Sequence, residues 1–210
     1  MAELTWPKIK QYLKSQLLTR LPTPTKSFTG QTIIITGSNT GMGLEAARHL
    51  VRLDAARVIL AVRSTDKGEA AAASIRPSLP GRSSDPGPVV QVWPLDLASH
   101  ASVRAFAARA AAELGRLDVL VCNAGMYVYK SGFSLAEGDE VTVTVNVVST
   151  LLLGVLLLPK LRETSVRCDK EVVLTFTGSF VHLMTDFPER RSENIFEALA
   201  VEKTARMPDR

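Results

Sequence analysis

The composition of this chain is that of an ordinary globular domain. It has 210 residues, of which 46% are hydrophobic and 22% are charged, and this length suffices for one domain with a buried core. The formal net charge is +4, but the 25 Lys and Arg residues are scattered and no run of them is interleaved with aromatic residues, which argues against a nucleic-acid-binding protein. The 2 cysteines form no disulfide framework and no metal-ligand spacing. A reducing, cytoplasmic compartment fits this cysteine content.

The segment 1–29 is predicted to be a helix followed by a linker. Residues 6–18 form an amphipathic pattern with Ile9, Tyr12, Leu13 and Leu17 on one face. The apolar stretch is too short for a signal peptide, and a proline-rich linker follows. Two placements remain open, a helix packed on the outside of the domain and a helix on a membrane surface. Residues 30–210 are predicted to form the domain itself.

Apolar strand patterns alternate with helical patterns along the rest of the chain. The predicted strands are 33–36, 57–61, 89–92, 119–122 and 172–176. The predicted helices are 43–53, 66–75, 99–114 (with Ser99 as N-cap) and 141–158. This alternation predicts an α/β fold, a doubly wound parallel sheet. We expect the strand order 3-2-1-4-5 with one edge uncovered, and a surface loop at the Pro-, Gly- and Ser-rich segment 77–88.

The segment 141–158 has no charged residue, and its length qualifies it as a transmembrane candidate. It contains Asn146, Ser149 and three threonines, and it lies where the alternation requires a helix between the fourth and fifth strands. We therefore predict a fully buried core helix and no integral membrane segment.

A glycine-rich turn follows the first predicted strand. Three glycines come between the β-branched run and an Ala-rich helical pattern: Gly37, Gly41 and Gly43. Glycines let a pyrophosphate approach the backbone, and the N–H groups at a helix start bind anions. The pattern G-x-G-x-x-A is also met by Gly41, Gly43 and Ala46, but the position of Gly37 directly after the strand favours T-G-x-x-x-G-x-G. The alternative is a plain turn.

A second motif, Asn123-Ala124-Gly125, follows the fourth predicted strand. With T-G-x-x-x-G-x-G it resembles the classical type of the short-chain dehydrogenase/reductase family, over about 30–210. Three further positions match that family's acidic residue near the adenine, its helix asparagine and its catalytic serine: Asp96, Asn146 and Ser179. The S-x-x-H pattern from Ser179 to His182 and the segment 187–190 resemble the retinol-dehydrogenase-like branch of fungal secondary metabolism.

The resemblance implies a set of binding and catalytic residues. The catalytic residues would be Ser179 and Asn146. The cofactor-binding residues would be Gly37, Asn39, Gly41, Met42, Gly43, Asp96, Asn123, Ala124 and Gly125, to which the residues themselves add Arg63 and Lys67.

The end of the second predicted strand indicates the cofactor. NAD-specific sheets place an acidic residue there, whereas this strand ends at Arg63, with Lys67 at the start of the next helix. A guanidinium can bind the 2′-phosphate of NADP in a bidentate pair, so these residues favour NADP over NAD. The alternative is that Arg63 is a solvated loop charge.

By resemblance, the family interconverts a carbonyl and an alcohol on a small molecule, with a Tyr-x-x-x-Lys pair after the serine strand. The tyrosines here, Tyr12, Tyr127 and Tyr129, all precede Ser179. We therefore expect a C-terminally shortened, NADP-dependent oxidoreductase that lacks the last strands of the family's sheet. It would act on a small molecule such as a secondary metabolite, and it could form homo-oligomers. The alternatives are a catalytically inactive dinucleotide-binding remnant or partner subunit, and a structural protein that binds no nucleotide.

Overall fold

A parallel five-stranded sheet forms the centre of the protein. The computed structural model describes residues 6–75, 89–128, 132–179 and 187–204. The strands of this sheet are β1 (Thr32–Thr36), β2 (Arg57–Val62), β3 (Val89–Pro94), β4 (Val119–Cys122) and β7 (Val173–Phe176). Their order is β3-β2-β1-β4-β7. The predicted fold class and strand order are confirmed.

Helices cover both faces of the sheet. The α-helices are α1 (Trp6–Leu17), α2 (Gly41–Arg52), α3 (Thr65–Ile75), α4 (His100–Glu113), α5 (Val141–Val143), α6 (Ser149–Cys168) and α7 (Ile195–Leu199). A π-helical turn, Thr144–Val148, joins α5 to α6. The Ser99 hydroxyl accepts a hydrogen bond from the Ser102 N–H at 3.3 Å, so the predicted N-cap of α4 is confirmed.

Strand β1 is buried on both of its faces, because it lies in the middle of the sheet. Alternate side chains of a strand point to opposite faces. Accordingly, Ile33 and Ile35 belong to the core cluster with Ala47 and Val51 of α2, whereas Ile34 belongs to the cluster with Leu153 of α6. This continuous burial explains why the strand has an unbroken β-branched run.

The long helical segment Val141–Cys168 departs from its prediction in two ways. It continues ten residues beyond position 158, through Pro159, because Leu157 and Leu161 both pack on the sheet and continue the same buried face. It is also not fully buried, since Leu151 is 50% and Val155 is 66% exposed. Its length and hydropathy would allow a membrane span, but core helices of soluble domains pass the same test.

Two features lie outside the main sheet. A two-stranded hairpin, β5 (Leu135–Ala136) and β6 (Asp139–Glu140), precedes α5. Helix α1 lies near the N-terminus. Among those of its side chains whose exposure the structure describes, all are exposed except the half-buried Ile9. The predicted loop at 77–88, Tyr129, and His182 of the S-x-x-H pattern lie outside the described residues.

Candidate cofactor site

The carboxyl ends of the five strands bring the predicted site residues to one edge of the sheet. The strand pairing aligns Thr36 of β1 with Ala61 of β2, and Cys122 of β4 with Phe176 of β7. The connections leave in opposite directions on either side of the boundary between β1 and β4. In open α/β sheets, ligands bind in the crevice at such a switch point.

The glycine turn after β1 requires its glycines for two physical reasons. Gly37 and Gly41 adopt positive φ values of 65° and 58°, which side-chain-bearing residues rarely adopt. A Cβ at Gly37 would lie 2.9 Å from the Ala124 Cα, and a Cβ at Gly43 would lie 2.6 Å from both the Asn123 Nδ2 and the Gly37 carbonyl oxygen. The turn therefore packs directly against the loop that follows β4.

Helix α2 begins at this turn without a side-chain cap. Its N-cap residue, Thr40, makes no side-chain hydrogen bond to the first turn, and the first turn has no acidic residue. By contrast, Ser99, Glu140 and Asn194 cap α4, α5 and α7 with their side chains. The first N–H groups of α2 thus have no acceptor among the described side chains, which is the arrangement that suits an anionic ligand.

Thr36 joins the glycine turn to the loop after β4. Its side chain is buried, and its Oγ1 accepts hydrogen bonds from the Asn123 N–H at 3.0 Å and the Ala124 N–H at 2.9 Å. In return, the Asn123 Nδ2 donates to the Thr36 carbonyl at 3.1 Å. Thr36 was not among the predicted site residues. The signal was available, because it is a hydroxyl residue at the end of an otherwise aliphatic buried strand.

The charged residues predicted to contact the adenosine half lie at the ends of β2 and β3. Arg63 directly follows β2, and Lys67 lies in the first turn of α3. Both side chains are exposed, and neither has a hydrogen bond or ion pair with another described residue. Asp96 lies two residues after β3, and its carboxylate accepts a hydrogen bond from the Ala98 N–H at 3.0 Å. This end of the crevice therefore offers cationic side chains to a ligand.

Asn146 lies in the π-helical turn and holds the loop that follows the Asn123-Ala124-Gly125 motif. Its Nδ2 donates to the Met126 carbonyl and its Oδ1 accepts from the Met126 N–H, both at 2.8 Å. A Cβ at Gly125 would lie 3.5 Å from the same Oδ1. Single π-turns often occur at functional sites, and this one places an amide against the backbone of the site.

Ser179 lies beyond the end of β7 at the same edge of the sheet. The strand end is fixed by the Thr177 N–H, which donates to the Cys122 carbonyl at 3.0 Å, and the Ser179 side chain is exposed. The contacts thus join the glycine turn, the loop 123–125 and Asn146 to one another. The ends of three other strands bring further residues to the same edge: Arg63 and Lys67 after β2, Asp96 after β3 and Ser179 after β7.

The remaining titratable groups near this edge do not form a metal or redox centre. Among the residues that the structure describes, no group of three or more His, Cys, Asp or Glu side chains is placed to hold a metal ion. Cys122 lies at the end of β4 and is 3% exposed, and burial raises the pKa of its thiol to about 12. A protonated buried thiol is chemically inert, so Cys122 is a core residue.

Comparisons with known proteins agree with this geometry. The family model described as short chain dehydrogenase matches residues 31–167. Short-chain dehydrogenase anuD of Penicillium roqueforti (strain FM164) is 46% identical over 199 residues, which are 95% of this chain and 50% of that protein. Short chain dehydrogenase/reductase dmxR8 of Cryptosporiopsis sp. (strain 8999) is 46% identical over 179 residues, which are 85% of this chain and 53% of that protein. The chain therefore spans about half the length of these curated relatives.

A solved structure gives the same result for the fold. The short chain dehydrogenase of Shigella flexneri 2a str. 301 complexed with NADP has a TM-score of 0.59 and 26% identity, covering 84% of this chain and 67% of that one. The glycine turn after β1 and the Asn123-Ala124-Gly125 loop after β4 both lie within residues 31–167, which the family model matches. The chain belongs to the short-chain dehydrogenase family.

Proposed function

We propose that this chain is the dinucleotide-binding part of an NADP(H)-dependent oxidoreductase that interconverts a carbonyl and an alcohol on a small molecule. The observation that carries the proposal is the uncapped start of α2 at the glycine turn, held against the loop 123–125 at the switch point of the sheet. Gly37 and Gly43 let the turn pack closely on this loop, and Gly41, where a Cβ would meet no atom within 4 Å, leaves the backbone at the start of α2 open to a pyrophosphate.

The preference for NADP is supported by charge at the end of β2. Val62 is the last residue of β2, and the exposed guanidinium of Arg63 comes next, with the exposed ammonium of Lys67 in the following helical turn. A 2′-phosphate would gain charge-assisted hydrogen bonds from these groups. Neither of the two residues that follow β2, Arg63 and Ser64, is acidic. An acidic residue there would bind the 2′-hydroxyl of NAD and repel the 2′-phosphate of NADP.

The chemistry proposed for the other half of the crevice depends on Ser179 and Asn146. When bound, a nicotinamide supplies or accepts the hydride. We assign to the Ser179 hydroxyl a hydrogen bond to a substrate oxygen, and Asn146 holds the backbone at Met126. We place the protein in the cytoplasm, where two free cysteines stay reduced.

Cofactor titration calorimetry on the full chain tests the proposal. The unmodified chain is expected to bind NADP⁺ more tightly than NAD⁺, and Arg63→Gln is expected to weaken NADP⁺ binding about 10- to 100-fold while leaving NAD⁺ binding unchanged. Arg52→Gln is the matched control, because Arg52 ends α2 at the opposite edge of the sheet. Equal affinity for the two cofactors would refute the role of Arg63, and no binding of either would refute the proposed function.

A further inference from the structure

Helix α1 carries an apolar face with large side chains exposed to solvent. Trp6 is 71%, Leu13 is 44% and Leu17 is 75% exposed. With the half-buried Ile9, these side chains lie within roughly 80° of one another around the helix, at about 100° per residue. The apolar residues continue past the helix end, where Leu18 and Leu21 are 77% and 84% exposed. A stripe of large apolar side chains in water indicates an interaction surface.

The charge around this stripe has one sign. Between Glu3 and Glu45 the sequence has no acidic residue, whereas the segment from α1 to the linker carries five basic residues: Lys8, Lys10, Lys14, Arg20 and Lys26. Lys10 and Lys14 follow Trp6 and Leu17 around the helix and border the apolar face on one side. Long lysine side chains can keep their ammonium groups in a polar layer while their stems lie along apolar surface.

We propose that α1 binds the surface of a membrane that contains anionic lipids, lying in the plane of the interface. A partner protein groove or a second α1 would also cover apolar side chains, but an interfacial helix is the arrangement that uses every feature present. It combines an apolar face, an aromatic residue at its start, flanking lysines and the lack of any acidic residue between Glu3 and Glu45. This inference is independent of the proposed function, because it uses none of the cofactor-site residues.

The linker that follows α1 attaches the helix to the domain at a defined place. His49 Nε2 of α2 lies 3.2 Å from the Pro24 carbonyl, and the Phe28 N–H donates to the Leu53 carbonyl at 2.7 Å. These contacts lie near the C-terminal end of α2. The carboxyl edge of the sheet, where α2 begins, therefore lies at the other end of α2 from these contacts.

Vesicle flotation with the full chain tests the proposal. The chain is expected to float with vesicles of phosphatidylcholine and phosphatidylserine at a 70:30 ratio, on the order of tenfold more than with pure phosphatidylcholine, and less as salt rises. The double variant Leu13→Glu/Leu17→Glu is expected to lose at least about tenfold in partitioning. The matched control, Gln11→Glu/Ser15→Glu, adds the same charge to the opposite face and is expected to retain most of the binding.

Tryptophan fluorescence provides a second readout. The chain has 2 tryptophans, and Trp93 is only 2% exposed, so a blue shift on adding anionic vesicles reports Trp6 and is expected to vanish in Trp6→Phe. Flotation that is equal on neutral and anionic vesicles, or that both double variants reduce equally, would overturn the proposal. So would self-association through α1 without vesicle binding, detected by sedimentation velocity.

Discussion

Asn146 and Met126 are joined by two hydrogen bonds, one in each direction between the amide side chain and the Met126 backbone, both 2.8 Å long. The π-helical turn that carries Asn146 and the loop after β4 are thereby held as one unit, although 20 residues separate them in the chain. The loop cannot move away from the crevice without breaking both bonds.

Asn146→Ala is expected to loosen this loop. The loss of a paired amide costs about 0.5–1.5 kcal/mol per hydrogen bond, and hydrogen–deuterium exchange at the Met126 amide should become faster while exchange in β1 stays slow. Asn194→Ala, which removes a side-chain cap on α7, is the control. If that control changes exchange at Met126 as much as Asn146→Ala does, the effect is general and the assignment is wrong.

Alanine substitutions in the glycine turn are expected to differ in a defined order. Gly37→Ala combines a positive φ with a 2.9 Å contact to the Ala124 Cα, and should lower the free energy of unfolding by about 2–4 kcal/mol. Gly41→Ala meets no atom within 4 Å but keeps the positive φ of 58°, and should cost about 1–2 kcal/mol. Gly115→Ala, with open space and no positive φ, is the control, expected within about 0.5 kcal/mol of the unmodified chain. Urea unfolding measures all three, and a reversed order would refute the packing argument.

The two cysteines are expected to differ in reactivity. Because the thiolate is the nucleophile, and burial raises the pKa of Cys122 to about 12, iodoacetamide at pH 8 should alkylate the partly exposed Cys168 and spare Cys122 in the folded chain. Peptide mass spectrometry measures both. Alkylation of Cys122 at the rate of Cys168 without urea would contradict its burial.

The same raised pKa predicts a loss of stability at alkaline pH. The folded chain keeps the thiol proton that the unfolded chain releases near pH 8.5, so this contribution is complete below about pH 8.5 and is lost as pH rises toward the folded pKa, by at most about 1.4 kcal/mol per pH unit. Cys122→Ala should therefore flatten the fall in unfolding free energy between about pH 8.5 and 10. Cys168→Ala should leave that slope unchanged, and an equal effect of the two variants would refute the assignment.

Turnover by the 210-residue chain is expected to be low. The role proposed for Ser179 is to bind a carbonyl oxygen, but no tyrosine follows it in the 210 residues, and general acid catalysis contributes about 10²–10⁴-fold. We expect trace NADPH oxidation with aldehydes and ketones. Fusing the later half of the Penicillium roqueforti relative should raise the rate by at least about 10²-fold, and Ser179→Ala in the fusion should remove most of that gain. Rapid turnover by the short chain, unaffected by Ser179→Ala, would show that the chemistry lies elsewhere.

The strands were predictable to within one or two residues because each is a short, mainly apolar run. Burial on both faces explains this for the inner strands β1 and β2, whereas the edge strands β3 and β7 are partly exposed. The hairpin β5–β6 was not predicted, because its strands have only two residues each and no period can be read from so few positions. The end of α6 was predicted ten residues too early: the helix continues through Pro159, a residue that locally disfavours a helix interior, and Leu161 packs in the core cluster beyond it. Tertiary contact here overrides a local breaker.

The site was predictable in its residues but not in its contacts. Gly37 and Gly43 were predicted from their spacing along the chain. The spacing does not show that a side chain at Gly43 would clash with the side-chain amide of Asn123, which lies at the end of another strand. The hydrogen bonds of Thr36 reach 87 and 88 positions along the chain. Such pairings follow from strand order, which periodicity alone does not give.

The separation between Thr36 and Asn123 also has a consequence for how the protein is made. A ribosome adds about 5–20 residues per second, so the glycine turn is synthesised roughly 4 to 17 seconds before the loop that completes it. During that interval the backbone of the turn has no partner from β4. The crevice between the turn and this loop therefore cannot form until β4 has been synthesised, and a ligand that binds there stabilises a contact between two distant parts of the chain.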